Sequence, residues 1–517
     1  MGLSTAVLLL TTISLLSLPT QSARILAIEP FPCKSHVLVF SALTKELARR
    51  GHEMVVVTPF PSSTPIANYT EIDTMEAMRA QHEKMVGKQL YAMHESGVLS
   101  QPFVVSGMGL ETSENLFRVP EVQALLEDKR GFDLVIVETF MNEAVYGFAD
   151  YFKAPLVLVA PFGGFHFFNY GPGNPIPFSY VPNPVLGYSD RMSFTQRLTN
   201  TIFTLVWDLG NQFYYLPRQE AIRSKVFKNG KNVWELQRSV SLTLLNNHFS
   251  LNYPRPLVPS VIEVGGMHVM QKNNKLPKDI QSFLDGAKEG AIYFSMGSNL
   301  RSDLMPVETR EMIMTAFSEL PQRILWKWES DMLPGQPSNV KVLKWLPQQD
   351  ILAHPNLRLF ITHGGLLSIQ EAIHQGVPFV GIPVYGDQSL NMRKAELGGY
   401  GLTLDLKNVT KTSVLWAVNK VINDPNYRHE AQRRSGIYRD QSETPLERAA
   451  FWTEYVLRHK GAHHLRTAAT RLSFYQLYLL DVVAVILAAL VLVFLVSRAL
   501  LKLVCRTTNV PNKIKKN

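Results

Sequence analysis

Cysteine is nearly absent from this chain of 517 residues, which contains only Cys33 and Cys505. Because Cys505 comes after the last long apolar segment of the sequence, no intrachain disulfide is expected. We interpret Cys33 as an ordinary buried thiol rather than a nucleophile, and Cys505 as a candidate for acylation beside a membrane. The hydrophobic content of 46% fits a folded protein.

A glycine-rich nucleotide motif is missing where one class of enzyme requires it. An oxidoreductase that binds a nucleotide cofactor on a doubly wound fold needs G-x-G-x-x-G directly after the first strand, which we predict at residues 24–28. The sequence that follows this strand includes Pro30-Phe31-Pro32-Cys33 instead. This argues against such an oxidoreductase. The chain also shows no internal repeat and no low-complexity tract.

Acidic residues are missing from the C-terminal end of the chain. The formal net charge is +9, but six cations follow the last apolar segment with no acidic residue among them: Arg498, Lys502, Arg506, Lys513, Lys515 and Lys516. Without these six the formal charge is only +3. Nothing in the rest of the chain then indicates a nucleic-acid partner.

Apolar segments at both ends of the chain predict a membrane protein. The N-terminus resembles a secretory signal that is cleaved near Ser22 or Ala23, and a retained signal anchor is the alternative. Residues 476–497 are apolar and long enough to span a bilayer, and the basic residues after them predict a cytosolic C-terminus. A buried core helix is the alternative for this segment. The expected result is a single-pass type I protein with a luminal body.

A luminal body could carry N-linked glycans. The two acceptor sequons begin at Asn68 and Asn408, and both are usable only on the luminal side of the membrane. The last residues, Lys513 to Asn517, resemble the dilysine-type tails that return membrane proteins to the endoplasmic reticulum. The expected location is therefore the membrane of the endoplasmic reticulum.

The most informative stretch runs from Trp345 to Gln388. It predicts a buried strand over 357–362, a His-Gly-Gly turn, a helix from about Gly365 to Gln375 and a second strand over 379–382. Such a unit is half of a parallel α/β layer. The free N–H groups and positive end of the helix suit a phosphate, and the paired glycines let a ligand approach the backbone.

The same stretch resembles the signature of the UDP-glycosyltransferases, the enzymes of glycosyltransferase family 1. The matching order and spacing is that of His363, Gly365, Ser368, Glu371, Pro378, Pro383, Asp387 and Gln388. The resemblance is to the membrane-bound animal branch, which is UDP-glucuronosyltransferase-like. It implies a GT-B fold, in which two Rossmann-like, doubly wound α/β domains face a cleft, together with a C-terminal transmembrane helix.

This resemblance implies a division of the chain into six parts. They are a signal peptide (1–22), an N-terminal acceptor-binding domain (23–265), a C-terminal UDP-sugar-binding domain (266–442), helices that pack back on the N-terminal domain and the membrane (443–475), a transmembrane helix (476–497) and a cytosolic basic tail (498–517).

The resemblance also assigns residues to the UDP-sugar. The donor-binding set is Ser295, Gly297, Ser298, Trp345, Gln348, His363, Gly365, Ser368, Glu371, Asp387 and Gln388. Trp345 would stack on uracil, Gln348 and Glu371 would lie near the ribose, His363 and Ser368 near the phosphates, and Asp387 and Gln388 on sugar hydroxyls. Taken singly, each has an ordinary alternative as a core, turn or solvated helix residue. Arg255 resembles a position that reaches the donor, with a linker cation as the alternative.

The N-terminal half predicts a second α/β layer and contains the candidate base. Strands are expected over 24–28 and 53–58, with a helix over 36–50 between them, which places His36 at the turn into the helix where such folds bind ligands. An isolated histidine there more often caps a helix. The sequence around it resembles the first unit of the family, in which this histidine deprotonates the acceptor. Imidazole, with an ordinary pKa near ~6.5, can accept a proton at neutral pH.

Glu138 is the candidate partner of His36. It ends a predicted strand that begins near Phe132, and a carboxylate there would hold the imidazole in one tautomer and stabilise its charged form. The family commonly has Asp at this position, so Glu138 is a departure, and it could instead cap the next helix.

These expectations define an enzyme and leave one alternative open. The expected reaction is inverting transfer of a hexose such as glucose from a UDP-sugar to a hydroxyl of a small lipophilic acceptor. The aromatic residues Phe162, Phe165, Phe167, Phe168 and Tyr170 line its pocket or form core. No Asp-x-Asp pair is present, so no metal and no cofactor are expected. The alternative is a catalytically silent relative that binds a lipophilic ligand at the membrane. The expected partners are the two substrates and membrane lipid, with a homo-oligomer left open.

Overall fold

The computed structural model describes residues 22–87, 89–165, 171–270 and 274–508. The predicted signal peptide up to residue 21, the aromatic residues Phe167, Phe168 and Tyr170, and the tail from Lys513 lie outside these ranges. Two compact units make up the chain, one ending at Arg466 and one beginning at Thr467.

The first unit contains two parallel sheets. The first sheet has the order β3-β2-β1-β4-β5-β6-β7, with strands β1 (Arg24–Ile28), β2 (Glu53–Thr58), β3 (Tyr69–Asp73), β4 (Leu134–Glu138), β5 (Leu156–Ala160), β6 (Leu242–Leu245) and β7 (Val261–Glu263). The second has the order β10-β9-β8-β11-β12-β13, with β8 (Ala291–Ser295), β9 (Arg323–Lys327), β10 (Val340–Leu343), β11 (Leu357–Thr362), β12 (Phe379–Gly381) and β13 (Gly401–Thr403). In both, the order reverses beside the first strand, as in doubly wound folds.

Helices connect the strands and cover both faces of the sheets. In the first half they are α1 (Lys34–Arg49), α2 (Met75–Met85), α3 (Gln89–Ser96), α4 (Gln101–Leu116), α5 (Pro120–Ala124), α6 (Gly147–Tyr151), α7 (Phe194–Gly210), α8 (Leu216–Val226) and α9 (Val233–Arg238). In the second half they are α10 (Lys278–Asp285), α11 (Val307–Ser318), α12 (Gln348–Leu352), α13 (Leu366–His374), α14 (Gln388–Leu397), α15 (Lys411–Asn423), α16 (Pro425–Arg439) and α17 (Pro445–Arg458).

Each sheet separates two hydrophobic cores. In β1, Leu26 and Ile28 belong to the core on one face, and Ile25 and Ala27 belong to the core on the other. Successive strand residues point to opposite faces, so an uninterrupted apolar run is what a sheet covered on both sides requires. The second sheet follows the same rule, with Phe294 and Tyr293 in different cores. The expectation of two doubly wound domains is confirmed.

Helix α1 begins two residues earlier than the sequence predicts. Its N-cap is Cys33, whose extended backbone (φ −126°) ends the Pro30–Pro32 segment, and the first helical residue is Lys34. His36 therefore lies in the first turn of α1 rather than in the turn before it. The helix ends at Arg49, and Gly51 follows with a φ of +99°, a conformation that glycine adopts without strain.

Helix α17 follows the second sheet in sequence but packs against the first. Its Ala449, Ala450 and Val456 are fully buried in the core formed by α1 and the inner strands of the first sheet. An ion pair between Arg50 and Glu454 (Nη1–Oε2, 3.2 Å) links α17 to the end of α1. Together with a buried hydrogen bond from Gln370 Nε2 to Asn246 Oδ1 (3.0 Å), these contacts connect the two halves of the unit.

The second unit contains the C-terminal apolar helix. It comprises α18 (Phe474–Leu477) and α19 (Leu480–Thr508), and residues Leu480–Cys505 of α19 are long and apolar enough to cross a membrane. The helix continues beyond the predicted end of the span at residue 497. Arg498 and Lys502, the first basic residues of the predicted tail, thus lie on the helix.

Candidate active site

A cavity of about 500 Å³ opens between the two halves of the first unit. It lies beyond the carboxyl ends of the inner strands of both sheets, which is where doubly wound folds bind ligands. Its walls include His36 and Phe140 from the first half, and Trp345, His363 and Glu371 from the second. His36 and the predicted donor-binding residues thus line one cleft, and the fully buried Glu138 lies behind His36.

The wall from the first half holds the His36–Glu138 pair. Strands β1 and β4 are parallel neighbours, with Ile28 opposite Val137, so Glu138 ends β4 beside the turn that leads into α1. The Nδ1 atom of His36 is 3.0 Å from Oε1 of Glu138. A carboxylate accepts from Nδ1–H, so this contact leaves the lone pair on Nε2, the nitrogen on the other side of the ring.

Aromatic rings and burial isolate this pair from bulk water. His36 is 4% exposed and Glu138 is fully buried, and the rings of Phe31, Phe140 and Phe162 have centroids 5.1, 5.3 and 4.8 Å from that of His36. An apolar, water-poor setting strengthens the electrostatic interaction between the two groups.

Burial and the contacts within the site shift the pKa values of His36 and Glu138 in opposite directions. Burial acts to lower the pKa of His36, but its contacts with Cys33 and Glu138 outweigh burial and raise that pKa above its usual value. Burial raises the pKa of Glu138, and the hydrogen bond to His36 opposes this shift. A carboxylate without the imidazole would be an unpaired buried charge, so the contact favours the ionised form of Glu138 and the protonated form of His36.

A second carboxyl group, that of Glu29, lies behind the pair. Glu29 follows β1, is fully buried, and accepts a hydrogen bond from Thr58 Oγ1 (3.2 Å). Burial and the nearby Glu138 raise the pKa of Glu29 well above its usual value, which favours its neutral form. The sequence analysis assigned no role to Glu29, although its place at the end of a parallel strand was a usable signal.

His363 occupies the turn between β11 and α13, packed between two glycines. A Cβ on Gly297 would lie 2.5 Å from its Cε1 atom, and a Cβ on Gly365 would lie 2.4 Å from its Nε2 atom. No other residue type fits at either place without displacing the imidazole. Burial, assisted by Lys327, lowers the pKa of His363 to about 4, so at neutral pH this ring is uncharged and donates a single N–H.

Lys327 provides a cation that the sequence analysis missed. It is the last residue of β9, lines the cleft, and its Nζ atom is 2.6 Å from Oε1 of Glu329 and 5.7 Å from the ring centroid of Trp345. A lysine directly after the buried run Ile324–Trp326 is the signal that could have identified it. It places a positive charge beside the neutral His363 and the N-terminus of α13.

Hydrogen bonds hold the predicted ribose-side residues in place. The Nε2 atom of Gln348 donates to Glu371 Oε2 (2.6 Å) and to Ser368 Oγ (3.1 Å), and Tyr293 donates to Gln348 Oε1 (3.2 Å). Gln349 Nε2 also donates to Glu371 Oε1 (3.2 Å). The Glu371 carboxylate is thus fixed at the cleft wall, where it can accept hydrogen bonds from hydroxyl groups.

Asp387 and Gln388 lie at the start of α14 and face the same cleft. Asn391 Nδ2 donates to Asp387 Oδ2 (2.9 Å), and the Gln388 side-chain oxygen accepts from the backbone N–H of Val384 (2.7 Å). With its oxygen engaged, the amide nitrogen of Gln388 is the group left to face a ligand. Burial raises the pKa of Asp387.

The remaining donor candidates line the cleft from two further segments. Trp345 is 59% exposed, and the Nζ of Lys34 lies 5.2 Å from its ring centroid. Ser295 ends β8 and its Oγ accepts from the N–H of Gly297 (3.2 Å), where a φ of +84° turns the chain towards Ser298. Ser295, Gly297 and Ser298 therefore form a short turn at the cleft wall.

The part of the cleft formed by the first half is mostly apolar. Its walls include Phe31, Met85, Leu90, Met93, Val105, Met108, Phe140, Phe162, Phe165 and Trp207. Phe162 and Phe165 line the cleft and also pack in a hydrophobic cluster with Trp207, so they belong to both the cleft wall and the core. Cys33 also lines the cleft, and its buried Sγ accepts from Asn299 Nδ2 (3.0 Å). Burial acts to raise the pKa of Cys33, but the neighbouring His36 outweighs burial and lowers that pKa to about 6.

Arg255 does not line the cleft among the described residues. It is part-buried, and its guanidinium donates to the carbonyl oxygens of Gly163 and Gly164 (2.8 Å to the latter). The idea that Arg255 reaches the donor finds no support in this position. Its guanidinium instead holds the loop that follows β5.

No group of three His, Cys, Asp or Glu side chains suited to holding a metal ion occurs among residues that the structure describes.

Both sequon asparagines are exposed at the surface. Asn68 lies just before β3, and Asn408 lies before α15, where its side chain donates to Asp405 Oδ2 (2.9 Å).

Comparison with known proteins extends over nearly the whole chain. The family described as "UDP-glucoronosyl and UDP-glucosyl transferase" matches residues 26–516. The chain is 39% identical to UDP-glycosyltransferase UGT5 of Dactylopius coccus, over 92% of this chain and 91% of the relative. It is 36% identical to UDP-glucosyltransferase 2 of the same organism, over 99% of both chains. It is 33% identical to UDP-glucuronosyltransferase 2C1 of Oryctolagus cuniculus, over 92% and 98%.

Solved structures of glycosyltransferases share the fold. The calicheamicin glycosyltransferase CalG4 is similar with a TM-score of 0.54 and 19% identity, covering 85% of this chain and 99% of that chain. Spinosyn forosaminyltransferase SpnP gives a TM-score of 0.55 and 17% identity, covering 85% and 100%. At these identities the likeness shows the fold alone, which is the GT-B arrangement of two parallel-sheet domains. With a family match over residues 26–516 and relatives above 30% identity along nearly their full length, this chain belongs to the UDP-glycosyltransferase family.

Proposed function

We propose that this protein transfers glucose from UDP-glucose to a hydroxyl group of a small lipophilic acceptor, inverting the sugar's anomeric carbon and requiring no metal ion. The observation that carries the proposal is the single cleft, with the His36–Glu138 pair on one wall and a set of donor-type groups on the other. The choice of glucose rests on a relative named UDP-glucosyltransferase 2 that matches 99% of both chains. The apolar wall formed by residues such as Phe162 and Met108 favours a lipophilic acceptor.

His36 acts as the general base in this proposal. The acceptor hydroxyl gives its proton to Nε2 of His36 as its oxygen forms a bond to the anomeric carbon from the face opposite UDP. The bond from that carbon to the diphosphate oxygen breaks, and its electron pair leaves with UDP. Glu138, hydrogen-bonded at Nδ1, stabilises the imidazolium that forms.

The second half of the unit stabilises the leaving diphosphate. The free N–H groups at the N-terminus of α13, the neutral N–H donor His363 and the Lys327 ammonium surround the place where the phosphates would lie. Gln348 and Glu371 would hold the ribose, Trp345 the uracil, and Asp387 and Gln388 the sugar hydroxyls. In other enzymes a metal ion stabilises the charge of the leaving diphosphate. Here a fixed cation and fixed hydrogen-bond donors of the protein have that role.

Replacing the base tests the proposed function. We expect His36→Ala to reduce UDP release from UDP-glucose, with a panel of phenols and alcohols as acceptors, by about 10²–10⁴-fold, the usual contribution of a general base. UDP binding should stay unchanged, because the donor groups lie on the other wall. His429→Ala, which alters an exposed histidine on α16, should have full activity.

Two outcomes would contradict the proposal. Equal rates for wild type and His36→Ala would mean that His36 is not the general base. If wild type shows no turnover with any acceptor, the result would support the alternative of a catalytically silent relative that binds a lipophilic ligand. UDP-glucuronate, run in parallel, identifies the donor; a higher kcat/KM with it than with UDP-glucose would overturn the choice of glucose.

The pH dependence tests the pairing of His36 with Glu138. A general base works when unprotonated, so with an aliphatic alcohol acceptor kcat/KM should rise with pH until the pH exceeds the raised pKa of His36. Glu138→Gln removes the charge that helps to raise this pKa. Its rising limb should therefore move to lower pH, and its plateau should fall because the imidazolium is less stabilised. An unchanged midpoint with a lower plateau would mean that Glu138 has only a structural role.

We also propose that the body is luminal and that α19 anchors it in the membrane of the endoplasmic reticulum as a single-pass type I protein. The apolar length of α19, its basic C-terminal end and the two exposed sequons support this. Expressed with microsomes, the protein should lose one glycan's mass on Asn68→Gln and one on Asn408→Gln. Asn426→Gln, an exposed asparagine outside a sequon, should not change the mass. If neither sequon substitution alters the mass, the body is not luminal.

A further inference from the structure

Helix α7 and the turn after it expose a long apolar face. Eight large apolar side chains between residues 194 and 214 are each at least 39% exposed: Phe194, Leu198, Ile202, Leu205, Val206, Leu209, Phe213 and Tyr214. Most of them recur every three or four positions, so they line one side of the helix. We call this surface the outer face of α7. It amounts to several hundred Å², as large as or larger than the largest apolar patch of a typical monomeric soluble protein.

The opposite side of α7 is buried and mostly polar. The residues that face inward are Asn200, Thr204, Trp207, Asp208 and Asn211, and none of them is more than 6% exposed. A helix on the surface of a soluble protein has the reverse pattern, with apolar residues inside and polar residues outside. In α7 the polar side chains are therefore buried and the apolar side chains are exposed, the reverse of the usual arrangement.

Specific hydrogen bonds fix this inverted orientation. Asn200 Nδ2 donates to the carbonyl oxygens of Phe178 (2.8 Å) and Val181 (3.1 Å), and its Oδ1 accepts from the N–H of Asn183 (2.7 Å). Asn183 Nδ2 in turn donates to Thr204 Oγ1 (3.2 Å). Rotating the helix to bury its apolar side would break this network and leave buried polar groups unpaired, which is costly. The exposure of the outer face is thus built into the fold.

The charges around the outer face suit an anionic lipid surface. Between residues 191 and 218 the only carboxylate is that of Asp208, which is 6% exposed and faces inward. Three arginines lie within or at the ends of the same segment, at 191, 197 and 218, and all are exposed. An apolar stripe with aromatic residues at its ends, flanked by cations and free of exposed carboxylates, is the pattern of helices that lie in a membrane interface.

The chain itself keeps the body near a bilayer. Residues 467–479 join the first unit to α19, and a segment of this length reaches at most about 45 Å when fully extended. With α19 in a membrane, the body cannot diffuse away from lipid, so even a weak interfacial interaction would be occupied for much of the time.

We propose that the outer face of α7 inserts into the lipid–water interface of a bilayer, as a membrane contact additional to the span of α19. The same helix presents Trp207 to the acceptor cleft on its inner side. One helix would then separate the lipid from the cleft, which suits an enzyme whose proposed acceptors are lipophilic and dissolve in membranes. The membrane contact itself does not depend on the proposed transferase activity.

The test is a depth measurement on the full chain in phosphatidylcholine–phosphatidylserine vesicles. In a Cys505→Ser background, with Cys33 buried, single cysteines at Ile202→Cys and Leu209→Cys would carry an environment-sensitive fluorophore. We expect lipids brominated on their acyl chains to quench both labels. Trp416→Cys, an equally exposed position (56%) on α15, is the matched control and should be quenched by aqueous iodide instead.

Two further variants make the result decisive. A label at Leu490→Cys in α19 should be quenched by the brominated lipid, and failure there would overturn both the membrane anchor and the contact. Introducing Ile202→Glu, an exposed change that leaves the inner network intact, should reduce lipid quenching of the label at residue 209. If residue 490 is quenched while 202 and 209 remain open to iodide, the outer face lies in water and the proposal is wrong. Protection of 202 and 209 from both quenchers would show that a second copy of the chain covers this face, which would also overturn it.

Discussion

Parallel strands constrain this protein more than any single contact does. Every strand in both sheets runs parallel to its neighbours, so the carboxyl ends of each sheet lie along one edge. Loops and helix starts collect at that edge, and the two edges meet at one cleft. Residues separated by hundreds of positions, such as His36 and His363, are brought to the same cavity by this arrangement and not by any interaction between them.

The chemistry of each wall follows from what burial does to charge. On the first wall, burial of Glu138 is tolerable because the imidazole of His36 shares a hydrogen bond with it. On the second wall, burial leaves His363 neutral, so the positive charge at this wall is that of Lys327. Glu138 stands where the resemblance leads us to expect aspartate, and its longer side chain still forms a hydrogen bond with the imidazole of His36.

The sequence predicts the elements that line the cleft because their patterns are local. The strands Arg24–Ile28 and Leu357–Thr362 are mostly apolar and end at turn residues, and both are found at the predicted positions. The start of α1 was placed two residues late because Cys33, its N-cap, makes no side-chain cap and leaves no signal in the sequence. Lys327 and Glu29 were missed because their importance depends on neighbours that are distant in sequence.

In helix α7 the hydrophobic pattern of the sequence does not show which side of the helix is buried. Its apolar residues recur at helical spacing, but such spacing normally marks the side of a helix that faces a protein core. Only the positions of Asn183 and Asn200 in three dimensions show that the polar side is the buried one. A hydrophobic pattern indicates the type of secondary structure. Whether its apolar side faces the protein core or the surroundings is known only from the structure.

The central claim is that one base and one leaving group act on opposite faces of the same sugar carbon. The anomeric configuration of the product tests it most directly, because direct displacement inverts the centre and a two-step route through a covalent intermediate retains it. Nuclear magnetic resonance of the glycoside formed from UDP-α-glucose should show only the β-linked product. An α-linked product would contradict the account.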